Sequence, residues 1–186
     1  GIPNLYSLSD GTFIDNPKSF VNGQNKLAKV QRLHARKKKG SKNKEKSRIK
    51  VAKLHERIAN IRKDYLHKLS TKLVSENQAL AIEDLQVSNM ARNRKLAKHV
   101  MDAGWGMFRR FLEYKVHESQ HCTLAIANTF FPSTQSCSSC GKRHIEKIKL
   151  GIKKWTCYYC KAEHHRDTNA AMNLKNIALM VLAKHT

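Results

Sequence analysis

Four cysteines in the last third of the chain have the spacing of a zinc site. They form two Cys-x-x-Cys pairs, one at residues 137–140 and one at residues 157–160. Thiolates three residues apart can reach one ion from a tight turn, and two such turns supply the four ligands of tetrahedral zinc. Because four protein ligands close the coordination sphere, we expect a structural ion rather than a catalytic one. The expected ligands are Cys137, Cys140, Cys157 and Cys160.

Two disulfides would use the same four cysteines, but the sequence disfavours them. The chain has five cysteines, an odd number, and its first residues do not resemble a secretory signal. We therefore expect a reducing compartment, in which thiols stay available for a metal ion.

Two acidic residues form a second candidate site. Glu83 lies in a short apolar run, residues 78–85, that predicts a buried parallel strand, and Asp167 precedes a helical pattern from Thr168 to about Lys184. Paired carboxylates at the edge of an α/β sheet can hold Mg²⁺, which activates water for phosphodiester cleavage. From spacing alone, helix capping by Asp167 and a surface position for Glu83 explain the same residues.

Positive charge dominates the chain and is densest between residues 26 and 50. There are 36 Lys and Arg against 14 Asp and Glu, a formal net charge of +22, and residues 26–50 hold twelve Lys or Arg with one acid, Glu45. This favours a polyanion partner and a phosphate-binding surface that does not read base sequence, although a solvated face is the alternative. The expected nucleic-acid contacts are Arg36, Lys37, Lys38, Lys39, Lys42 and Lys44.

The first half of the chain predicts two hairpins. Asp10-Gly11 is a two-residue turn signal between short strands, and Gly40-Ser41 predicts the turn of a long basic helical hairpin at about residues 18–76. The second helix has apolar residues three and four apart, which predicts one buried stripe. Its members are Val51, Leu54, Ile58, Ile61, Tyr65, Leu69 and Leu73.

The second half predicts strands and helices in alternation. Residues 86–104 read as polar and irregular, residues 105–119 as a helix, and residues 122–127 as a short strand with Cys122 as a buried thiol. Trp155 is expected to pack inside the cysteine module. The order of elements predicts a mixed α/β fold, and no apolar run is long enough to cross a membrane.

Segments throughout the chain resemble TnpB, the OrfB-type protein of bacterial and archaeal insertion sequences. The resemblance covers nearly all 186 residues, and the combination of motifs is specific. The segments are LAIEDL at 80–85, FFPSTQSCSSCG at 130–141, WTCYYC at 155–160, HHRDTNAAMNL at 164–174, NLYSLSDGT at 4–12, DAGWGMFRRFLEYK at 102–115 and the basic helical hairpin.

The resemblance implies a transposase-family protein with a RuvC-type nuclease core of the RNase H fold, interrupted by a zinc ribbon. It implies Mg²⁺-dependent DNA cleavage directed by a guide RNA, in the cytoplasm of a prokaryote. Glu83 and Asp167 would be the second and third catalytic acids, and Arg166 and Asn169 would support them. The implied domains are the RuvC-like core with its hairpin at 1–132, the zinc ribbon at 133–161, and the last core motif with the C-terminal helix at 162–186.

The first acid of the family is where the sequence departs from the pattern. The family carries it on the first core strand, in a Gly-Ile-Asp-like segment, and this chain has Gly1-Ile2-Pro3 there. Asp10 and Asp15, in and beyond the predicted turn, do not replace it. We therefore expect an N-terminally truncated chain that lacks the first core strand and is impaired in cleavage. A non-catalytic nucleic-acid-binding module and a basic component of a ribonucleoprotein particle are the alternatives.

Overall fold

The computed structural model describes residues 4–146, 148, 149 and 151–184. The segment compared with the family's first acid, Gly1-Ile2-Pro3, lies outside the described residues. No described helix combines the length and the apolar composition needed to cross a membrane. The elements in chain order are β1 Asn4–Ser7, β2 Phe13–Asp15, α1 Ser19–Ala35, α2 Lys42–Glu76, β3 Ala79–Glu83, α3 Val87–Arg92, α4 Arg94–Ala103, α5 Trp105–Glu118, β4 Thr123–Ala127, β5 Lys154–Thr156, β6 Glu163–His165 and α6 Arg166–Leu182.

The described residues form two compact units. The helical unit comprises residues 17–69 and 87–111. The sheet unit comprises the remaining described residues, 4–16, 70–86 and 112–184. The mixed α/β prediction is confirmed, and the predicted domain boundaries stay a prediction.

The predicted basic helical hairpin is present in the helical unit. Near the turn at residues 40–41, His34 Nδ1 lies 2.7 Å from Ser47 Oγ. Farther from the turn, Gly23 of α1 lies against Ile58 of α2, so closely that an added Cβ would come within 2.7 Å of the Ile58 Cδ1 atom. The contact near the turn joins the end of α1 to the start of α2, and the second contact joins earlier residues of α1 to later residues of α2. The two helices are therefore antiparallel neighbours.

The buried side of α2 agrees with the predicted stripe only in part, since Ile58 of that stripe is buried. Ile61 was expected inside, yet it is 48% exposed, whereas Leu66, Ser70 and Val74 are buried. These buried positions lie four residues apart, and Arg62 continues their line toward the start of the helix. Ile58 lies on the same line, but because polar side chains interrupt it, apolar spacing alone also selected neighbouring positions that are partly buried or, at Ile61, exposed.

Residues 86–104 form two helices, so the prediction of an irregular segment is wrong. The side chain of Asn93 accepts a hydrogen bond from Lys95 N at 3.0 Å, which caps the start of α4. Gly104 ends α4 with a φ of 69°. A Cβ at Gly104 would lie 2.9 Å from Leu66 Cδ1, so both backbone conformation and space favour glycine there. The many basic residues of this segment concealed the capping signals.

Asp102 of α4 caps α1 from a distant part of the chain. Asp102 is buried, with only 2% of its surface exposed to solvent. Phe20 N and Val21 N in the first turn of α1 donate to the two Asp102 carboxylate oxygens at 2.7 and 3.2 Å. The local N-cap residue, Lys18, is left-handed and makes no side-chain cap hydrogen bond. Arg62 Nη1 lies 3.6 Å from the same carboxylate and balances its buried charge.

The sheet unit contains all the described strands, which form three separate two-stranded sheets. The predicted first hairpin is present as antiparallel β1 and β2. Its loop is longer than the predicted two-residue turn, because Leu8 N donates to Thr12 O at 2.8 Å. Strands β3 and β4 are parallel, with Ala79 opposite Thr123 and Glu83 opposite Ala127.

Helix α6 packs against both β3 and β4, and this contact forms the core of the sheet unit. Ala170, Ala171 and Ala178 are buried on its inner side. Small side chains let the helix approach the two strands closely. Cys122, just before β4, is also buried, and burial raises the pKa of its thiol. The prediction of a core thiol is therefore confirmed.

Candidate metal centre and acidic site

The four predicted cysteines form one cluster. Their Sγ atoms all lie within 4.8 Å of one another. The Cys137–Cys160 and Cys140–Cys157 sulfur pairs are 3.6 and 3.7 Å apart. A tetrahedral ion with zinc–sulfur bonds of ~2.3 Å separates its sulfurs by ~3.8 Å, whereas a disulfide bond measures ~2.05 Å. The cluster therefore fits a single tetrahedral metal ion such as zinc, and all four cysteines are free thiols.

The two Cys-x-x-Cys turns have the same backbone fold. Gly141 N donates to Cys137 O at 2.8 Å, and Lys161 N donates to Cys157 O at 3.0 Å. The residue after each second cysteine is left-handed, with φ of 73° at Gly141 and 61° at Lys161. Each turn thus aims two sulfurs at a common point, as the sequence spacing predicted.

The pKa values of two thiols in the cluster, Cys157 and Cys140, are shifted in opposite directions. The backbone N–H of Cys160 makes the largest contribution to lowering the pKa of Cys157 to about 6. For Cys140, the backbone N–H of Lys142 lowers the pKa, but burial and the neighbouring thiols together raise it to about 12. A metal ion must displace the remaining protons, so its affinity for this cluster falls as the solution becomes more acidic.

Trp155 packs beneath the cluster, as predicted. It is 8% exposed and forms a small core with Cys137 and Cys157. The Trp155 and His164 rings lie 4.8 Å apart. His164 Nε2 is also 3.0 Å from Cys137 Sγ, so this histidine contacts the cluster from outside the cysteine set. Its position supports a cysteine ligand, in the way that a second layer of hydrogen bonds orients the ligands of a metal.

The cysteine module leads directly into the helix that carries Asp167. Strands β5 and β6 are antiparallel, with the second Cys-x-x-Cys turn between them. Strand β6 ends at His165, and α6 begins at Arg166. Arg166 N donates to Lys153 O at 2.7 Å, at the base of this small hairpin. The backbone of the cysteine module therefore fixes the first turn of α6.

Asp167 makes ion pairs instead of the expected helix cap. Lys153 Nζ lies 2.7 Å from Oδ2, and Arg166 Nη2 lies 3.0 Å from Oδ1. Burial would raise the pKa of Asp167, but the hydrogen bonds and charges of Lys153 and Arg166 outweigh burial and lower it. The N-cap position of α6 belongs to His165, which makes no side-chain cap hydrogen bond. Asp167 is thus held as a carboxylate between two cations.

Glu83, at the end of β3, is tied to α6 through one serine. Ser133 Oγ donates to Glu83 Oε1 at 2.5 Å. The carbonyl of the same serine accepts hydrogen bonds from Asn169 Nδ2 at 3.2 Å and Asn173 Nδ2 at 2.7 Å. Ser133 is buried, so these contacts are shielded from water. A continuous polar path therefore joins Glu83 to α6, the helix that carries Asp167 in its first turn.

Asn169 and Asn173 hold the entrance to the cysteine module. Both donate from Nδ2 to Ser136 O at 2.7 Å, and Asn169 Oδ1 accepts from Ser138 N at 2.9 Å. Asn169 is 1% exposed, and Asn173 is also buried. Sequence reasoning gave Asn169 only a supporting role beside the acids and missed Asn173. The sequence signal that could have identified both residues is a pair of asparagines four residues apart on the inner side of a predicted helix.

Among the described residues, neither Glu83 nor Asp167 belongs to a group of three or more potential metal ligands. The cysteine cluster is the one group of three or more potential ligands within the described ranges. Glu83 and Asp167 lie on β3 and α6, which pack together. Mg²⁺ is commonly held by one or two carboxylates together with substrate phosphates and water, so a pair is a partial fit. The catalytic roles of both acids stay predictions.

The predicted nucleic-acid contacts cluster around the turn of the helical hairpin. Arg36, Lys38, Lys39 and Lys42 are exposed there. Lys44 differs, because its Nζ donates to the Lys37 carbonyl at 3.3 Å and so helps to close the turn. Contact with nucleic acid by these residues stays a prediction.

Two family models match the chain. Residues 1–94 match the OrfB_IS605 family, described as "Probable transposase". Residues 105–174 match the Cas12f1-like TNB domain. The second match contains the cysteine cluster, the asparagine pair and Asp167.

Curated bacterial proteins are similar over almost the whole chain. A Streptomyces pristinaespiralis protein named "Putative RNA-guided DNA endonuclease" is 47% identical over 94% of this chain and 42% of its own length. Escherichia coli InsQ, of the same descriptive name, is 35% identical over 98% of this chain and 48% of its own length. A Mycobacterium tuberculosis protein is 31% identical over 94% of this chain and 39% of its own length. The chain thus spans less than half the length of these relatives, and with the OrfB_IS605 match covering residues 1–94 it belongs to the TnpB-like OrfB_IS605 transposase family.

Proposed function

We propose that this chain is part of an RNA-guided DNA endonuclease and supplies two acids of a RuvC-like nuclease site. The observation that carries the proposal is the packing of β3 against α6, with Ser133 joining Glu83 to α6. This packing puts the two motif acids on adjacent elements of one unit. The names of the relatives support the reaction class, and the parallel pair of strands beneath a helix is compatible with an RNase H-type core.

Glu83 and Asp167 would ligate Mg²⁺, which when bound activates water and stabilises the leaving oxygen of a phosphodiester. Around these acids, Ser133 orients the Glu83 carboxylate by its hydrogen bond. Lys153 and Arg166 keep Asp167 ionised and fix its direction. Their charges also suit an approaching phosphate backbone.

The cysteine cluster would hold zinc in a structural role. All four ligands come from the protein, so no coordination position is left for a substrate. The second turn leads through β6 into Arg166 and Asp167. Zinc would therefore stabilise the hairpin that carries Lys153 to the Asp167 carboxylate, and removing it would loosen that ion pair.

The partners would be target DNA and a guide RNA, in the cytoplasm of a prokaryote. The net charge of +22 supports binding to nucleic acid of either kind. A non-catalytic nucleic-acid-binding module is the second candidate. It is favoured by the fact that, among the described residues, neither acid belongs to a group of three or more potential metal ligands.

Cleavage assays separate the two candidates. We expect the chain alone, with Mg²⁺, to cleave neither single- nor double-stranded DNA detectably, because two carboxylates make an incomplete site. A chimera of Escherichia coli InsQ, with this chain replacing its matching region, should cleave DNA when given the InsQ guide RNA. In the chimera, Glu83→Gln and Asp167→Asn should each lower the rate by at least ~100-fold.

Asp84→Asn is the matched control, because this neighbouring acid receives a hydrogen bond from Thr129 Oγ1 at 2.7 Å instead of one from Ser133. The control should leave cleavage nearly unchanged. A folded, metal-loaded chimera that cannot cut, or one that still cuts after Glu83→Gln, would contradict the nuclease proposal. Robust cutting by the chain alone that Glu83→Ala abolishes would contradict the expected impairment.

A further inference from the structure

Two tyrosines stand exposed on the second Cys-x-x-Cys turn. Tyr158 and Tyr159 occupy its two central positions, and they are 61% and 45% exposed. Their ring centroids lie 5.5 Å apart at an interplanar angle of 89°. The small core of the cysteine module consists of Trp155, Cys137 and Cys157 with the partly buried Ile148. The two tyrosines take no part in this core.

A lysine is held over each tyrosine ring. Lys142 Nζ lies 4.7 Å from the Tyr159 centroid, and Lys161 Nζ lies 5.0 Å from the Tyr158 centroid. Both distances are within the range of a cation–π contact. The backbone of each lysine is tied to a cysteine turn, because Cys137 N donates to Lys142 O and Lys161 N donates to Cys157 O, both at 3.0 Å. The surface thus combines aromatic rings with positive charge on a rigid support.

An open cleft adjoins Tyr158. Its volume is ≈ 410 Å³, and its lining includes Ile145, His144 and Lys161. Glu146 also lines the cleft, so its negative charge disfavours a phosphate inside. A flat, uncharged and aromatic group suits the cleft, while a phosphate suits the lysines.

We propose that Tyr158 and Tyr159 form a stacking surface for unpaired bases of a nucleic-acid strand, with Lys142 and Lys161 contacting the flanking phosphates. Bases in a duplex are already stacked on each other, so their faces are accessible only in single-stranded segments. Base–aromatic stacking tolerates any sequence, because every base has a π face. The inference rests on the proposed function only in taking nucleic acid as the partner, and it needs no cleavage.

Fluorescence anisotropy with labelled oligothymidylate, oligouridylate and a DNA duplex tests the proposal on the zinc-loaded chain without Mg²⁺. We expect the double variant Y158A/Y159A to weaken single-strand binding by at least ~10-fold. Duplex binding should change by less than about twofold, since it depends on phosphate contacts. Y158F/Y159F should restore single-strand affinity. A loss confined to DNA or to RNA would support the proposal and identify the strand.

Phe130→Ala is the matched control, because Phe130 is 91% exposed outside the cysteine turns. It should leave affinity for every probe unchanged. Zinc content, measured on each variant, should stay at the wild-type value. Equal losses for single strands and duplex, or no loss in Y158A/Y159A, would overturn the proposal.

A photocrosslinking experiment needs no variant. Oligonucleotides containing 4-thiothymidine should crosslink to the peptide that contains Tyr158 and Tyr159, as identified by mass spectrometry. Crosslinks found only on other peptides would refute the stacking surface. Because neither experiment measures cleavage, the stacking surface and the nuclease site can fail independently.

Discussion

At the scale of single residues, Ser133 serves two elements through different atoms. Its hydroxyl group binds the Glu83 carboxylate, and its carbonyl binds the amides of Asn169 and Asn173. The side chain therefore orients an acid, while the backbone anchors the cysteine module to α6. Ser133→Ala would remove the contact with Glu83 and keep the carbonyl contacts, since alanine is small enough for this buried position and retains the backbone.

Asp167 should titrate below the ordinary value for aspartate. Its lowered pKa means that its ion pairs stabilise the fold fully above pH 3.8 and lose this effect as the pH falls through the native pKa. Lys153→Gln removes one partner and should raise that pKa. NMR titration of the Asp167 carboxyl carbon measures this pKa in the unmodified protein and in Lys153→Gln.

Asp10 is an internal control for this titration, because the Thr12 backbone N–H is the largest cause of its own lowered pKa. Its midpoint should not respond to Lys153→Gln. An Asp167 midpoint unchanged by Lys153→Gln would show that the ion pair does not set the protonation state.

Substitutions at the left-handed residues of the two cysteine turns, Gly141 and Lys161, should change the stability of the zinc-loaded protein in opposite directions. Gly141→Ala should lower the stability of the zinc-loaded protein by about 1–2 kcal/mol through backbone strain, since no atom lies within 4 Å of the added Cβ. Lys161→Gly should raise stability by up to about 1 kcal/mol, because it relieves the same strain. Thermal unfolding of the zinc-loaded protein measures both changes.

Gly151→Ala is the control for this pair. Its added Cβ is also uncrowded, and Gly151 does not have the left-handed φ of Gly141. Loss of stability in Gly151→Ala equal to that in Gly141→Ala would rule out the strain explanation.

At the scale of elements, α1 depends on a residue that lies far away in the sequence. Its first turn receives no side-chain cap from its own N-cap residue, and the Asp102 carboxylate of α4 accepts the first amide protons instead. The positive end of the helix dipole faces this negative charge. The basic hairpin and the helix α4 are therefore coupled within the helical unit.

Asp102→Ala should destabilise the protein by about 2–4 kcal/mol, because it removes charge-assisted hydrogen bonds to two backbone amides and leaves Arg62 without its carboxylate partner. Urea denaturation followed by circular dichroism measures the loss. Asp64→Ala removes an exposed ion pair with Lys68 and should cost less than about 1 kcal/mol. Equal losses in the two variants would mean that Asp102 is no more important than a surface charge.

Sequence patterns predicted features whose partners lie nearby in the chain. The two cysteine turns, the antiparallel basic hairpin and the buried Cys122 were predicted correctly, since short spacings determine each of them. Asp102 and Asn173 were missed for the opposite reason. A buried polar side chain becomes recognisable only with its distant partner, and neither residue type indicates burial by itself.

At the scale of the whole molecule, the net charge of +22 sets how strongly the chain responds to salt. Neutralised phosphates release counterions, so the affinity for nucleic acid should fall steeply as salt rises. Replacing Lys37, Lys38 and Lys39 by Gln should weaken binding to all sequences alike. If these lysines contact phosphates, the slope of log affinity against log salt should decrease by about 2 to 3 for duplex DNA.

The charge-matched control replaces Lys63, Lys68 and Lys72, which are exposed elsewhere on α2. This control should change the slope of log affinity against log salt by less than the replacement of Lys37, Lys38 and Lys39 does. A similar decrease in both triple variants would indicate that total charge, rather than the turn of the hairpin, determines binding. Salt titrations of duplex affinity by fluorescence anisotropy supply the slopes.

The asparagine contacts also determine where the cysteine module can be exchanged between relatives. An exchange with boundaries at residues 133 and 161 would transplant the cysteines without Asn169 and Asn173, which hold the entrance from α6. It would also cut the chain just before β6, which continues into α6. A segment that extends to residue 174, as the TNB-domain match does, carries both attachments with it. The transferable module is therefore larger than the metal-binding motif that identifies it.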